Sequence, residues 1–279
     1  MKTVLSRRAW LLLLVFLGCA DEPASTSDAE AALARALAPP ESVTNPGKLV
    51  HVLVALCDNR YQGIVPVPER IGNGDDPANN LYWGAAFGVK TFFKKSPDWT
   101  LVSTTRKPGP AILERCVFKH RSKSVYLIAD AYRGREIRQT TIDFLQFAAG
   151  RDVEEIELPS GPKLNAGGAA DLIAYVGHDG LMDFSVTAPS GTGSADRSAI
   201  ILACASKPYF ADLLRRTGAR PLLWTTNLMA PEAYVLKSAL DGWIAGEDGE
   251  AVRKRAAEAY NRYQKCGLSS ANRLFATGW

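Results

Sequence analysis

Apolar runs at Lys48–Leu56, Ser124–Ala129, Leu172–Val176, Ala199–Ala203 and Pro221–Thr226 punctuate the chain. Each is short and nearly continuous, the pattern of a strand covered on both faces. Trp99–Thr105 adds a shorter strand candidate. The stretches between carry apolar residues at helical spacing. Asp75-Asp76-Pro77 supplies an acidic cap and a first-turn proline. Leu81, Ala85, Val89, Phe92 and Phe93 follow, which predicts a helix over Asn79–Lys95. Ile137, Ile142, Phe144, Leu145 and Ala148 predict a second helix that stops before Gly150. A third runs through Tyr209–Arg216 and is ended by Gly218. Glu232–Ala245 places Ala233, Leu236, Leu240 and Trp243 on one face, and Gly249–Lys265 reads as a mostly polar helix. Leu274–Trp279 reads as a last edge element. Strands alternating with helices specify the α/β class: a three-layer α/β/α sandwich with a mainly parallel sheet.

The first residues follow a different pattern. Lys2, Arg7 and Arg8 precede the apolar run Trp10–Leu17, and Gly18-Cys19 follows, so residues 1–18 read as an export signal. The run is too short for a permanent membrane span. Phe16-Leu17-Gly18-Cys19 resembles a bacterial lipobox, which implies lipidation of Cys19; ordinary cleavage beside an incidental cysteine is the other reading. Ser6-Arg7-Arg8-Ala9-Trp10-Leu11 looks like a twin-arginine motif, although paired arginines also occur in ordinary leaders. Residues 19–46 are rich in Ala, Glu, Asp, Ser and Pro, and Pro39-Pro40 ends any helix begun at Ala29–Leu37. They read as a lipid-anchored flexible tether to a single domain over residues 47–279, long enough to bury a full core. The expectation is an exported protein, anchored to a bacterial membrane on its periplasmic or outer surface.

Charge changes once the leader is set aside. The chain has 33 basic and 29 acidic residues, a net charge of +4. Three of the basic residues are Lys2, Arg7 and Arg8, which leaves 30 against 29. No nucleic-acid footprint remains. Cys57, Cys116, Cys204 and Cys266 stay in the domain. An exported compartment permits disulfides, and their pairing is open from sequence. A disulfide at Cys204 would remove it as a nucleophile.

The third and fourth apolar runs carry the candidate chemistry. One ends at Gly177-His178-Asp179-Gly180 and the other at Cys204-Ala205-Ser206. The carboxyl edge of an open α/β sheet is where ligands bind. A thiol and an imidazole there are the elements of a cysteine nucleophile with a general base. The other histidines read differently: His51 alternates within an apolar strand as a core or edge residue, and His120 lies in the charged run Lys119–Lys123 as part of a solvated loop. No paired histidines and no Cys-x-x-Cys spacing point to zinc. Gly161–Gly168, which includes Asn165–Gly168, and Ser190–Ser194 read as glycine-bearing loops that fit neither a P-loop nor a dinucleotide fingerprint, so no cofactor is expected.

The layout resembles the caspase–legumain clan of cysteine peptidases, in which a histidine follows the third strand and a cysteine the fourth. Tyr175-Val176-Gly177-His178-Asp179-Gly180 and Leu202-Ala203-Cys204-Ala205-Ser206 carry the resemblance, which covers roughly Lys48 to Ala245. It implies a caspase-like fold, a Cys204 nucleophile, a His178 base, and an oxyanion site from the backbone N–H groups of Cys204 and Gly180. It also implies a peptide or protein substrate. Asp179 is the candidate for orienting His178 or selecting a basic side chain. Asp58, Asp130 and the Trp224–Asn227 segment, with Trp224 and Asn227 at its ends, are the positions near the strand ends for specificity. The stretch between His178 and Cys204 is short, which predicts a crossover without its usual helix. That shortness, with Asp179 directly after His178, favours the alternative: a non-catalytic lipoprotein that uses the scaffold to bind a partner or small ligand.

Overall fold

The computed structural model describes residues 45–192 and 196–279. The leader, Cys19 and nearly all of the tether lie outside these residues. Among the described residues, no helix is long and apolar enough to cross a membrane.

The first apolar run forms β1 (Lys48–Ala55), buried on both faces from Leu49 onward. β4 (Val125–Tyr132), β7 (Leu172–Val176), β8 (Ser198–Leu202) and β9 (Arg220–Thr225) are the other predicted buried strands. They pair in parallel in the order β4-β1-β7-β8-β9. β3 (Ile112–His120) and β2 (Trp99–Arg106) extend the sheet antiparallel beyond β4, and β10 (Phe275–Ala276) closes the other edge antiparallel to β9. The result is a mainly parallel eight-stranded sheet. A separate hairpin joins β5 (Val153–Glu157) and β6 (Lys163–Gly167).

Strand periodicity divides the core into two layers. Val50, Val52 and Val54 of β1, with Leu172, Ala174 and Val176 of β7, face one side. There they meet α1 (Val89–Lys95), α4 (Ala233–Ala245), α5 (Gly249–Gln264) and α6 (Leu268–Leu274). Leu49, Leu53, Ile173, Tyr175 and Ile201 face the other side, against α2 (Ile137–Ala148) and α3 (Ser206–Thr217). Each fully buried aliphatic side chain contributes about 1.5–3 kcal/mol, so this two-sided burial is the main force on the sheet. The α/β class and the three-layer arrangement therefore follow the hydrophobic pattern.

Three local expectations are corrected. The helix over Asn79–Lys95 is helical only from Val89; the residues before it form turns. Asn80 accounts for this. Its Oδ1 accepts from the N–H of Cys57 and Tyr82, and its Nδ2 donates to the carbonyls of Cys57 and Asn73. The segment is thereby stapled to the end of β1 rather than to its own helix. The charged run Lys119–Lys123 is not wholly loop, because its first two residues, Lys119 and His120, end β3. Asn165–Gly167, expected as loop, belongs to β6.

β3 and β4 carry buried charge across the α2/α3 side of the sheet. Arg115 forms a bidentate pair with Asp130, through Nε to Oδ1 at 2.7 Å and Nη2 to Oδ2 at 2.8 Å. Its Nη1 and Nη2 also reach Glu154 of β5. His51 completes the network: Nδ1 accepts from the Gly167 N–H, so Nε2 carries the proton and donates to Asp130 at 3.0 Å. His51 is a satisfied core histidine, as its place in an apolar strand suggested.

Candidate functional site at the carboxyl edge of the sheet

Because β1, β7, β8 and β9 run parallel, their carboxyl ends lie along one edge. β4 and β7 flank β1 on opposite sides, so the strand order reverses there, and such a switch point opens a crevice beyond the strand ends. A cavity of about 380 Å³ occupies this edge, lined by Gly63–Val65, Val67, Tyr82, Gly177, His178, Met182, Cys204, Leu228, Met229 and Pro231. Cys204 and His178 are thus brought to one cavity from the ends of adjacent strands.

Gly177 makes the close approach of β1 and β7 possible. Its φ is +151°, and a Cβ there would stand 2.8 Å from the Ala55 carbonyl oxygen. Its N–H donates to the Leu202 carbonyl, tying the ends of β7 and β8. His178 follows, nearly buried, its carbonyl accepting from the Tyr175 hydroxyl at 2.8 Å. Its Nε2 meets Asp183 Oδ2 at 2.7 Å. A carboxylate partner requires the proton on Nε2, which leaves the Nδ1 lone pair available. Asp183 Oδ2 also accepts from the Gly63 N–H at 3.1 Å, so one carboxylate aligns the imidazole and the loop beyond β1.

No motif in the sequence marks Asp183 for this role. Asp179, the expected orienting group, has a different place. It is fully buried, its Oδ1 accepts from the Leu181 N–H, and its Oδ2 has no partner. Burial pushes its carboxyl up to about 7; the Leu181 N–H opposes this and Asp183 adds to it. A short 3₁₀ turn, Gly180–Met182, brings Asp183 back to His178. Among the described residues that turn is the only helical structure between β7 and β8, as the short interval predicted.

Cys204 stands at a strand–turn–helix junction. Ala205, directly after it, adopts a left-handed conformation, with φ +48° and ψ +34°. Two hydroxyls lock the turn. Ser206 Oγ donates to the Ile201 carbonyl and accepts from the Thr225 N–H. Thr225 Oγ1 donates to the Ala203 carbonyl and accepts from the Ser206 N–H. The Ala205 N–H is taken by the Asn227 carbonyl at 2.9 Å. Cys204 Sγ itself accepts from the Met229 N–H at 3.4 Å and lies 3.6 Å from the Met229 carbonyl. Burial pushes its thiol pKa up, the Met229 backbone opposes that shift, and Asp179 reinforces it. The resting group is therefore the protonated thiol.

All four domain cysteines are free thiols. Burial drives those of Cys57 and Cys116 up to about 11, which makes them poor nucleophiles.

The remaining expected positions fall at varied distances from this cavity. Asp58 is at the same edge but in a neighbouring depression, its Oδ1 accepting from the N–H groups of Arg60 and Tyr61. Asp130 lies within the sheet, bound to Arg115 and His51, and does not line the cavity. Burial alone would raise its pKa; the hydrogen bonds from Arg115 and His51 outweigh that and lower it. Trp224 is buried in β9 with its ring edge-on to Trp279. Asn227 acts through its backbone on the Ala205 turn. Gly180 is packed against Phe184 and is not a lining residue, whereas Cys204 is. The N–H groups of Cys204 and Gly180 make no backbone hydrogen bond in the described turns. No group of three or more His, Cys, Asp or Glu side chains among the described residues could hold a metal ion.

Fold and site together define an α/β protein with a thiol and a carboxylate-aligned imidazole at the carboxyl edge of its sheet. The chain matches no family model, no curated protein and no solved structure.

Proposed function

We propose that the protein is a cysteine endopeptidase of caspase-like type. One observation carries this reading: Cys204 and His178, from adjacent parallel strand ends, line the same cavity with His178 held by Asp183. The strand order of the parallel core and the turn after β8 support it. In the proposed reaction Cys204 Sγ leaves the Met229 backbone and adds to the scissile carbonyl carbon, while His178 Nδ1 takes the thiol proton. The C–N bond breaks as His178 returns that proton to the leaving amine. Water, deprotonated by the same nitrogen, then hydrolyses the thioester, giving a carboxylic acid and restoring the thiol. The Cys204 N–H stabilises the oxyanion; a contribution from Gly180 requires its turn to move.

A peptidyl acyloxymethyl ketone probe tests the reading. It is expected to label Cys204 in the wild type, not at all in Cys204→Ala, and at least about 100-fold more slowly in His178→Ala. Labelling indifferent to His178, or absent altogether, moves the assignment to the second reading, a lipoprotein that binds a partner or small ligand without cleaving it. The engagement of Sγ by the Met229 backbone favours that second reading.

The N-terminal pattern supports export and lipid anchoring through Cys19. Detergent partitioning of the full chain checks this: the wild type is expected in the detergent phase and Cys19→Ser in the aqueous phase. Equal partitioning sinks the anchor.

A further inference from the structure

We propose that the cavity beside Cys204 is a specificity pocket for an apolar side chain, so that the substrate class is a peptide with a Leu-, Met- or Phe-sized residue immediately before the scissile bond. This rests on the reading of Cys204 as a peptidase nucleophile.

The chemistry of the lining carries the inference. It contains no Asp, Glu, Lys or Arg. Its walls are Ile64, Val65 and Val67 from the loop beyond β1, Met182 from the turn beyond β7, and Leu228 and Met229 beyond β9. A charged substrate side chain placed there would lose water and gain no counter-charge, which is costly. The carboxylates nearby do not line it. Asp183 holds His178 and the Gly63 N–H, Asp58 accepts from Arg60 and Tyr61, and Asp179 is fully buried where it caps the 3₁₀ turn.

The mouth of the cavity points the same way. Val65 is 87% exposed, Leu228 67% and Met182 42%. Exposed apolar residues scattered singly are ordinary, but these three come from three different loops and converge on one opening. Exposing them there costs solubility unless a ligand covers them. The volume of about 380 Å³ accommodates one large side chain with its flanking backbone. Two methionines in the lining adapt their shape, which favours breadth among apolar residues over a single choice.

The test uses probes identical except for the residue at the reactive position: Leu, Phe, Ala, Asp or Arg. The second-order rate of Cys204 labelling is read for each. Leu is expected to exceed Ala by about 30-fold, equal to about 2 kcal/mol at about 1.4 kcal/mol per tenfold. It is expected to exceed Asp and Arg by more than about 100-fold. In Leu228→Asp, a substitution at an exposed rim position, Leu labelling should fall and Arg labelling rise by about 10-fold each. Preference for Asp or Arg in the wild type overturns the apolar pocket while leaving Cys204 a nucleophile. A fatty-acyl thioester that acylates Cys204 faster than every peptide probe overturns the peptide occupant. If no probe labels Cys204, the peptidase reading falls. Binding of uncleaved Leu and Asp peptides to Cys204→Ala, followed by NMR, then decides the pocket: selective Leu binding upholds it, and none or equal binding overturns it.

Discussion

Asp179 and Asp183 stand four positions apart and do different work. Asp183, partly exposed, stabilises the imidazole by a charge-assisted hydrogen bond, and any imidazolium formed during proton transfer gains most from it. Asp183→Asn keeps the shape and loses the charge. Probe labelling at Cys204 is expected to slow on the order of 10–100-fold, and Asp183→Glu, which keeps the charge, to recover part of that rate. Equal losses in Asp183→Asn and Asp183→Glu would reduce Asp183 to a structural role. Asp179 has a raised folded-state pKa, about 7 against an ordinary value near 3.8. The folded state therefore binds its proton more tightly than the unfolded state. Stability from this group is greatest below about pH 4 and is lost as pH rises toward 7. Asp179→Asn removes that dependence. It is expected to be more stable than wild type in urea unfolding at pH 8, by on the order of 2–4 kcal/mol, with little gain at pH 4. An equal effect at both pH values would contradict the assignment.

At the scale of elements, the β8–α3 turn decides where the sulfur sits. Ala205 bears a Cβ in a left-handed conformation, which costs about 1–2 kcal/mol without compensation. The reciprocal Ser206–Thr225 hydroxyl bonds hold it there. Thr225→Val keeps the size and removes the hydroxyl, leaving the Ser206 N–H and the Ala203 carbonyl without that partner in a buried place. Urea unfolding should show a loss of about 2–4 kcal/mol, and probe labelling of Cys204 should fall with it. The turn region before α1 shows the same logic with the opposite outcome for prediction. Helical spacing from Leu81 to Phe93 is present, yet Asn80 spends its amide on the end of β1, and tertiary bonds override the local preference.

For the whole molecule, β3 places Arg115 where only a folded sheet can satisfy it. Its partners are Asp130 of the neighbouring strand and Glu154 of the separate hairpin, distant in sequence. Arg115→Met leaves the buried Asp130 carboxylate with His51 alone, and a loss of about 3–5 kcal/mol is expected in urea unfolding. Arg115→Met combined with Asp130→Leu should recover a large part of that loss, since only the neutral His51 N–H is then unpaired. Equal losses in the single and double variants would show that the network is not the source of the cost.

The hydrophobic pattern by itself determined the parallel strands and the layered class. Burial on both faces of a strand, or on one face of a helix, is written locally as periodicity. It also determined that His178 and Cys204 follow successive strands, because a strand's end is where its apolar run stops. β3 stayed hidden because Glu114, Arg115 and Lys119 break its apolar run, and what makes Arg115 tolerable is a partner the local pattern does not contain. Asp130 looked like an edge residue for the converse reason: its commitments to Arg115 and His51 are set by strand register. At the edge of the sheet, only tertiary structure decided that Asp183 rather than Asp179 aligns His178, since the 3₁₀ turn rotates one carboxylate inward and the other toward the ring. Tertiary structure alone also gathered the apolar mouth from three loops, and fixed the sulfur of Cys204 through Thr225, Asn227 and Met229.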